Sequence, residues 1–315
     1  MCLFLVLMLG VKIVKGHKKD DSVKTASVTE TAPAVEEVVE TPVPEVTEEP
    51  AEVVEQPTVE EVVEAPPVEE TAEQPPVEEA VPEPAPIPDR SNFAVDPNIP
   101  CGSDHNNGQN IVYLTIDDGP SYLTEQVLDI FDRYGVKATF FVTAQDPEYF
   151  YMIKEAYDRG HTIGLHSYTH DYATIYTSVE GYFEDLNRIG QVVQEQIGYV
   201  PCFIRFPGGE ANMVSADYCP GIMSQLVQEV NARGYQYYNW NISSGDGGNI
   251  DDPAILAANA TACDYPNIIL LSHDSGGKES TVAALPAIIE HYQSLGYEFR
   301  ALDRDTFCCH AEVRN

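Results

Sequence analysis

Basic side chains are scarce in this chain: 17 Lys and Arg stand against 51 Asp and Glu in 315 residues, a formal charge of -34. Neutralising phosphates takes clustered Lys and Arg, so the scarcity argues against a nucleic-acid partner. No CxxC pair occurs among the seven cysteines, which excludes a zinc ribbon or a thioredoxin-type redox site. The apolar stretch Cys2 to Val11 falls short of the roughly 20 residues a membrane-spanning helix needs. Between Ser22 and Pro88 there is no aromatic residue, no Gly and no Cys, and Lys24 is the one basic residue. Apolar content there is almost all Val and Ala, too little to offset the entropy of ordering a chain.

What that segment does contain is 18 Glu and 13 Pro, with a nine-residue repeat from Glu52 to Pro84 reading EVVEQPTVE, EVVEAPPVE, ETAEQPPVE, EAVPEP. Nine is neither a solenoid nor a coiled-coil period, and the proline pairs forbid a long helix. Like charge and proline extend such a chain into a semi-rigid spacer. The organisation expected is therefore residues 1–19 as part of a signal or membrane anchor, 20–95 as a disordered Glu/Pro/Val-rich stalk, and 96–315 as the folded domain. Lys12, Lys15, Lys18 and Lys19 follow the apolar run, whereas a secretory signal places its positive charges before it. The segment is accordingly read as the second half of a signal or anchor whose start lies upstream.

All of the 18 Tyr and 11 Phe except Phe4 lie after Ser91. From Pro97 onward 29 acidic residues face 11 basic ones, so the folded part is acidic without the stalk. Its six cysteines, Cys101, Cys202, Cys219, Cys263, Cys308 and Cys309, allow 15 disulfide connectivities or none. Cys101 and the Cys308/Cys309 pair lie at the two ends of the domain, where a clasp would be useful.

Strand-like apolar runs at Ile111 to Ile116, Ala138 to Val142, Thr162 to Leu165, Phe203 to Phe206, Tyr235 to Trp240, Ile268 to Leu271 and Tyr297 to Leu302 alternate with six helical patterns. Alternation of this kind implies a parallel sheet, open or closed into a barrel. Polar residues decide between the two. Asp117-Asp118-Gly119-Pro120 follows the first run, His166 to His170 the third, Arg205 to Gly209 ends the fourth, Asn239-Trp240 the fifth and His273-Asp274 the sixth. Reactive groups at the C-terminal ends of five strands converge only around a common mouth, which is how a (β/α) barrel builds its site.

Asp118, His166 and His170 form a candidate metal set, because two nitrogens and one carboxylate oxygen leave an open coordination position. The four-residue spacing of the histidines would let one helical turn aim both imidazoles at one ion. Asp117 is then free to take a proton from water activated by the ion, and Arg205 would hold Asp117 ionised. His273 could protonate a leaving nitrogen, while the amides of Gly208 and Gly209 could stabilise an oxyanion. Base and acid on opposite sides of a metal suit hydrolysis of an amide or ester.

The segments TIDDGP, HSYTH, RFPGG, YNWNISSGD and ILLSHD, in this order and spacing, resemble the five motifs of the NodB-type polysaccharide deacetylases of carbohydrate esterase family 4, over about Ile111 to Leu302. The resemblance implies a distorted (β/α) barrel of about seven parallel strands, preceded here by the Glu/Pro-rich tail. It also implies a metal-dependent hydrolase that removes N-acetyl groups from N-acetylglucosamine units of peptidoglycan, chitin or a related glycan. Asp117 then resembles the catalytic base, Arg205 the residue positioning it, His273 the acid, and Asp118, His166 and His170 the ligands of zinc or of Co2+ or another divalent ion. Trp240 and Leu271 resemble the walls of the acetyl pocket. One departure carries an expectation: the family places aspartate directly before the Trp, where it charges the acid histidine, and this chain has Asn239. An amide keeps a hydrogen bond but no charge, so a weakened acid is expected. The alternatives are a stalked glycan-binding module with a weakened site, or a chitin-oligomer deacetylase. The further expectations are an acetylated polysaccharide as partner, a monomer, membrane contact through the N-terminal segment alone, and a place at the cell surface or wall.

Overall fold

The structure, a computed structural model, describes residues 85–315. The signal or anchor at 1–19 and all of the stalk up to residue 84 lie outside the described residues. Among the described residues no helix is long and apolar enough to cross a membrane.

The described residues form eight parallel strands and seven α-helices, in the order β1 (Ile111–Asp117), α1 (Thr124–Tyr134), β2 (Thr139–Thr143), α2 (Tyr151–Asp158), β3 (Thr162–Ser167), α3 (Tyr172–Ile175), α4 (Val179–Ile197), β4 (Phe203–Ile204), α5 (Ile222–Ala232), β5 (Gln236–Tyr237), β6 (Ile242–Ser243), α6 (Pro253–Ala260), β7 (Asn267–His273), α7 (Glu279–Ser294) and β8 (Glu298–Phe299). The sheet runs β5-β4-β3-β2-β1-β7-β6, and β8 pairs with the start of β1. It is the expected distorted barrel, curled with a seam where the path ends at β5 and β6.

The seam corrects one expected strand. The run Tyr235 to Trp240 does not form a single strand: β5 pairs with β4 through Tyr237 and Ile204, whereas β6 pairs with β7 through Ile242 and Leu270. The intervening residues cross the seam, with the Tyr238 amide bonded to the Ile204 carbonyl and the Asn241 amide to the Ile269 carbonyl. The chain breaks between these two edges and carries Asn239 and Trp240 across the gap.

Two apolar layers sandwich the sheet. Val112, Leu114 and Ile116 of β1, Phe140 and Val142 of β2, and Ile268 and Leu270 of β7 pack outward against the helices. Ile111, Tyr113, Phe141, Phe203 and Ile269 fill the interior. Strands buried on both faces read as continuous apolar runs, yet the period of two still sorts their side chains. On β1 the inward set continues from Tyr113 through Thr115 to Asp117, so the pleat itself delivers Asp117 to the mouth of the barrel.

The helices supply the outer layer. Val127, Leu128 and Phe131 line the buried face of α1, which stops at Gly135 in the left-handed conformation (φ 65°). Ser178 caps α4 by accepting from the Gly181 amide, and the helix buries Tyr182, Leu186, Ile189 and Val193. Full burial of each such side chain contributes about 1.5–3 kcal/mol.

Packing starts before residue 96. Phe93 is buried edge-on against Phe203 at 4.8 Å, and the segment pairs with the approach to β4 through Val95 to Val200 and Cys202 to Phe93. Buried Arg304 holds it by donating to the carbonyls of Asn92, Ala94, Ile99 and Pro100. The ends of the domain do meet, since Ser103 bridges Phe307. The sulfur facing Cys101, however, is that of Cys202, at 3.5 Å; the six cysteines among the described residues are free thiols.

Candidate active site

A cleft of about 320 Å³ opens at the C-terminal ends of the strands, lined by Asp117, Asp118, His166, His170, Tyr172, Phe206, Gly208, Trp240, Gly247, Leu271, His273 and Lys278. Asp117, Asp118, His166, His170, Gly208, Trp240, Leu271 and His273 are thus brought together as the sequence implied. Arg205 lies just beneath, wholly buried.

Asp118 follows β1 with φ 73°, a turn that swings its carboxylate to the rim. Its Oδ1 lies 3.4 Å from Nε2 of both His166 and His170, and is buried without a hydrogen bond. His166 Nδ1 lies 2.7 Å from the Arg205 carbonyl. A carbonyl can only accept, so Nδ1 carries the proton and the Nε2 lone pair faces Asp118. The three donor atoms lie within 4.8 Å of one another. An orphaned carboxylate oxygen between two imidazole nitrogens fits a divalent cation, and N2O donors suit zinc.

The electrostatics of Asp118 and His170 agree with that fit. Burial disfavours the Asp118 charge, but the neighbouring imidazoles outweigh it and hold the carboxyl well below the usual range. Burial, reinforced by His166, lowers His170. His166 is raised, because Asp118 and Asp117 outweigh its burial.

The route to this triad differs from the sequence expectation. His166 sits in strand β3 and His170 in the loop after it, at φ 52°, so no helical turn aligns them. A strand end followed by a tight turn spans the four residues instead.

Arg205 donates to Asp117 Oδ1 at 2.9 Å, to Thr115 Oγ1 at 2.7 Å and to the carbonyls of Tyr238 and Asn239 at 3.0 Å each. Every arm of the guanidinium is thereby fixed, and one arm holds Asp117 in place.

On the other side, His273 Nδ1 lies 2.8 Å from Asp246 Oδ1, and the His273 amide donates to Asp246 Oδ2 at 2.7 Å. Thr281 Oγ1 also donates to Oδ2, and Lys278 Nζ to the Asp246 carbonyl. Burial opposes charge on His273, but the Asp246 hydrogen bond and carboxylate prevail and raise it to about 9. Asp246 itself is lowered, its burial outweighed by His273.

Asp246 corrects the expectation attached to Asn239. His273 has its aspartate, placed after β6 and not before Trp240. Asn239 leaves the cleft altogether: its carbonyl accepts from Arg205, and its buried Oδ1 makes no hydrogen bond. The signal was in the sequence, since SGDGG follows a short run at a sixth strand end, the kind of position that bears the other reactive groups.

Gly209 is a second correction. Its amide donates to the Phe206 carbonyl at 2.8 Å, so it is spent on a turn and is not aimed at an oxyanion. A Cβ there would meet the Trp240 ring at 3.1 Å, with φ 75° in the region that favours glycine. Gly209 makes room for the Trp240 wall, and Gly208 alone of the pair lines the cleft.

Asp274 is wholly buried beside the turn. Its carboxyl accepts from Thr124 Oγ1 and packs on Gly119, and burial pushes it up to about 7.

Comparison with known proteins agrees with this arrangement. Residues 104–220 match the model of the family described as polysaccharide deacetylase. A peptidoglycan-N-acetylglucosamine deacetylase of Bacillus cereus is 31% identical, the match covering 62% of this chain and 70% of that protein. The catalytic domain of a peptidoglycan N-acetylglucosamine deacetylase from Eubacterium rectale superposes with a TM-score of 0.66 at 43% identity, over 70% of this chain and 100% of that one. The polysaccharide deacetylase Bc1974 from Bacillus cereus gives 0.55 at 29% identity, over 62% and 93%. With the ordered site residues, the curled parallel barrel and relatives of this extent, the chain belongs to the polysaccharide deacetylases of carbohydrate esterase family 4, a family of hydrolases.

Proposed function

We propose that the protein is a metal-dependent deacetylase that removes N-acetyl groups from N-acetylglucosamine residues of peptidoglycan, working as a monomer at the cell surface or wall. The observation carrying this reading is the row of three groups across one cleft: Asp117 held by Arg205, the Asp118–His166–His170 triad, and His273 held by Asp246. The comparisons support the glycan, since relatives on both the sequence and the structural side are peptidoglycan N-acetylglucosamine deacetylases.

Asp118, His166 and His170 would hold the ion, zinc being the best match to their donors; it supplies Lewis acidity toward an amide carbonyl and toward water. Asp117, fixed by Arg205, takes the proton of the attacking water. Trp240 and Leu271 wall the acetyl methyl, and Gly208 lines the cleft beside them. His273, kept protonated by Asp246, gives its proton to the departing amine nitrogen as the C–N bond breaks. Water and amide are consumed, and acetate and a free amino sugar result.

The binding-module alternative rested on an acid histidine without its carboxylate, and Asp246 removes that motive. Acetate release from peptidoglycan and from chitin oligomers, with and without chelator, tests the proposal. The expected result is release from peptidoglycan that disappears with chelator and in Asp117→Asn. Release from chitin oligomers alone would reassign the substrate, and none from either by metal-loaded protein would reject the enzyme reading.

A further inference from the structure

Helix α4 carries a buried charge on its apolar stripe. Asp185 is 4% exposed, flanked by buried Tyr182, Leu186 and Ile189, and no Lys, Arg or His pairs with it among the described residues. Its carboxylate accepts four hydrogen bonds, all from three consecutive residues: Oδ2 from Ser167 Oγ (2.6 Å) and the Tyr168 amide (2.7 Å), Oδ1 from the Thr169 amide (2.9 Å) and Thr169 Oγ1 (2.8 Å). Those residues are the whole link between His166 and His170. Ser167 Oγ in turn accepts from the His170 amide at 2.8 Å, which extends the brace to the second histidine.

A buried carboxylate is costly unless its lone pairs are filled. Here they are filled by charge-assisted bonds, the stronger class, and none is made to the helix core. Its four donors come from the same short loop, in which His170 is held at a φ that non-glycine residues rarely adopt. The loop cannot relax toward ordinary backbone without breaking bonds to Asp185.

We propose that Asp185 is a positioning residue for the metal triad: it sets the separation and direction of the two imidazoles before any ion arrives, so tight metal binding depends on it. This rests on the reading that Asp118, His166 and His170 hold a divalent ion. Partners one shell out from metal ligands commonly carry about 10–100-fold in affinity. In Asp185→Asn the amide turns its N–H2 toward at least one of the loop's donors.

The test is the zinc dissociation constant of the full chain, by competition with a chromophoric chelator, beside the visible spectrum of the Co2+-loaded protein and the melting temperature of the metal-free protein. Asp185→Asn is expected to weaken zinc about 10–100-fold and to alter the cobalt spectrum. Thr169→Val, which deletes one of the four bonds, is expected to weaken zinc about fivefold, and it carries the test if Asp185→Asn does not fold. A variant that melts lower but binds zinc within twofold of wild type, with an unchanged cobalt spectrum, overturns the inference and leaves the metal reading standing. Wild-type protein that binds no zinc overturns both.

Discussion

Asp246 Oδ1 lies 2.8 Å from His273 Nδ1, and the second oxygen of the same carboxylate accepts from the His273 backbone amide. The pair joins the loop after β6 to the end of β7, two strands hydrogen-bonded side by side. Both carboxylate oxygens engage the same residue, so ring and backbone are fixed together and Nε2 is left for the cleft.

Replacing Asp246 by Asn should therefore cost far more than any change at Asn239. His273 is raised to about 9 with Asp246 present, so its acid form persists below that pH and activity should fall as pH rises through it. In Asp246→Asn the alkaline limb should move down by more than about one pH unit, and kcat/KM should fall about 10²–10⁴-fold. Asn239→Asp should leave the limb in place. pH–rate profiles of the three proteins decide this.

The same pair contributes to stability with a definite sign. A histidine whose pKa is raised on folding stabilises most below its unfolded value of about 6.5, and that stability is lost as pH rises through the folded value. Metal-free wild type should therefore lose more melting temperature between pH 6 and pH 10 than Asp246→Asn. Equal losses would show that the pair is not linked to folding.

Arg205 is wholly buried and paired with buried Asp117. Arg205→Met strands that carboxylate and the oxygens of Thr115, Tyr238 and Asn239, and should destabilise by about 3–5 kcal/mol, as read from denaturant unfolding. Asp117→Asn keeps the shape but leaves the buried Arg205 guanidinium without its counter-charge, so it too should be destabilised, besides losing activity.

On the proposed metal reading, zinc should bind the folded triad in preference to the unfolded chain, so saturation should raise stability by linkage. At about 1,000 times the dissociation constant the gain is about 4 kcal/mol, or about 10 °C in melting temperature for a domain of this size. Calorimetry with zinc, and again after chelator, should show the rise and its reversal.

Gly119→Ala probes the turn beneath the triad. A Cβ there would fall 2.1 Å from Asp274 Oδ1, and Asp274 is itself fixed by Thr124. Overpacking of this kind costs about 1–3 kcal/mol, which a shift in the unfolding midpoint would register.

Much of this site is local in the chain and was legible there. Asp117 and Asp118 adjoin a strand end, the histidines are four apart, and the apolar runs alternate with helical patterns closely enough to imply the barrel. Asp246 was not legible as the partner of His273, because the two are 27 residues apart and meet only where β6 lies beside β7. Asp185 was equally hidden, one of four acids in its helix and the one of them that is buried. Even the histidine spacing misled, since four residues can bridge a strand end and a turn as well as one helical turn.

By itself the sequence determined composition and period: a Glu/Pro-rich segment with nothing to bury, strands apolar on both faces, and reactive residues at their C-terminal ends. Those are properties of neighbouring residues, which propensity and pleat decide. Tertiary structure alone decided which carboxylate charges His273, that Gly209 makes room for Trp240 and donates its amide to Phe206, and that Asp185 braces the link between His166 and His170. Each is a contact between distant segments, made when the sheet curls, and a buried charge or spent amide is recognised only by the partners that the curl brings to it.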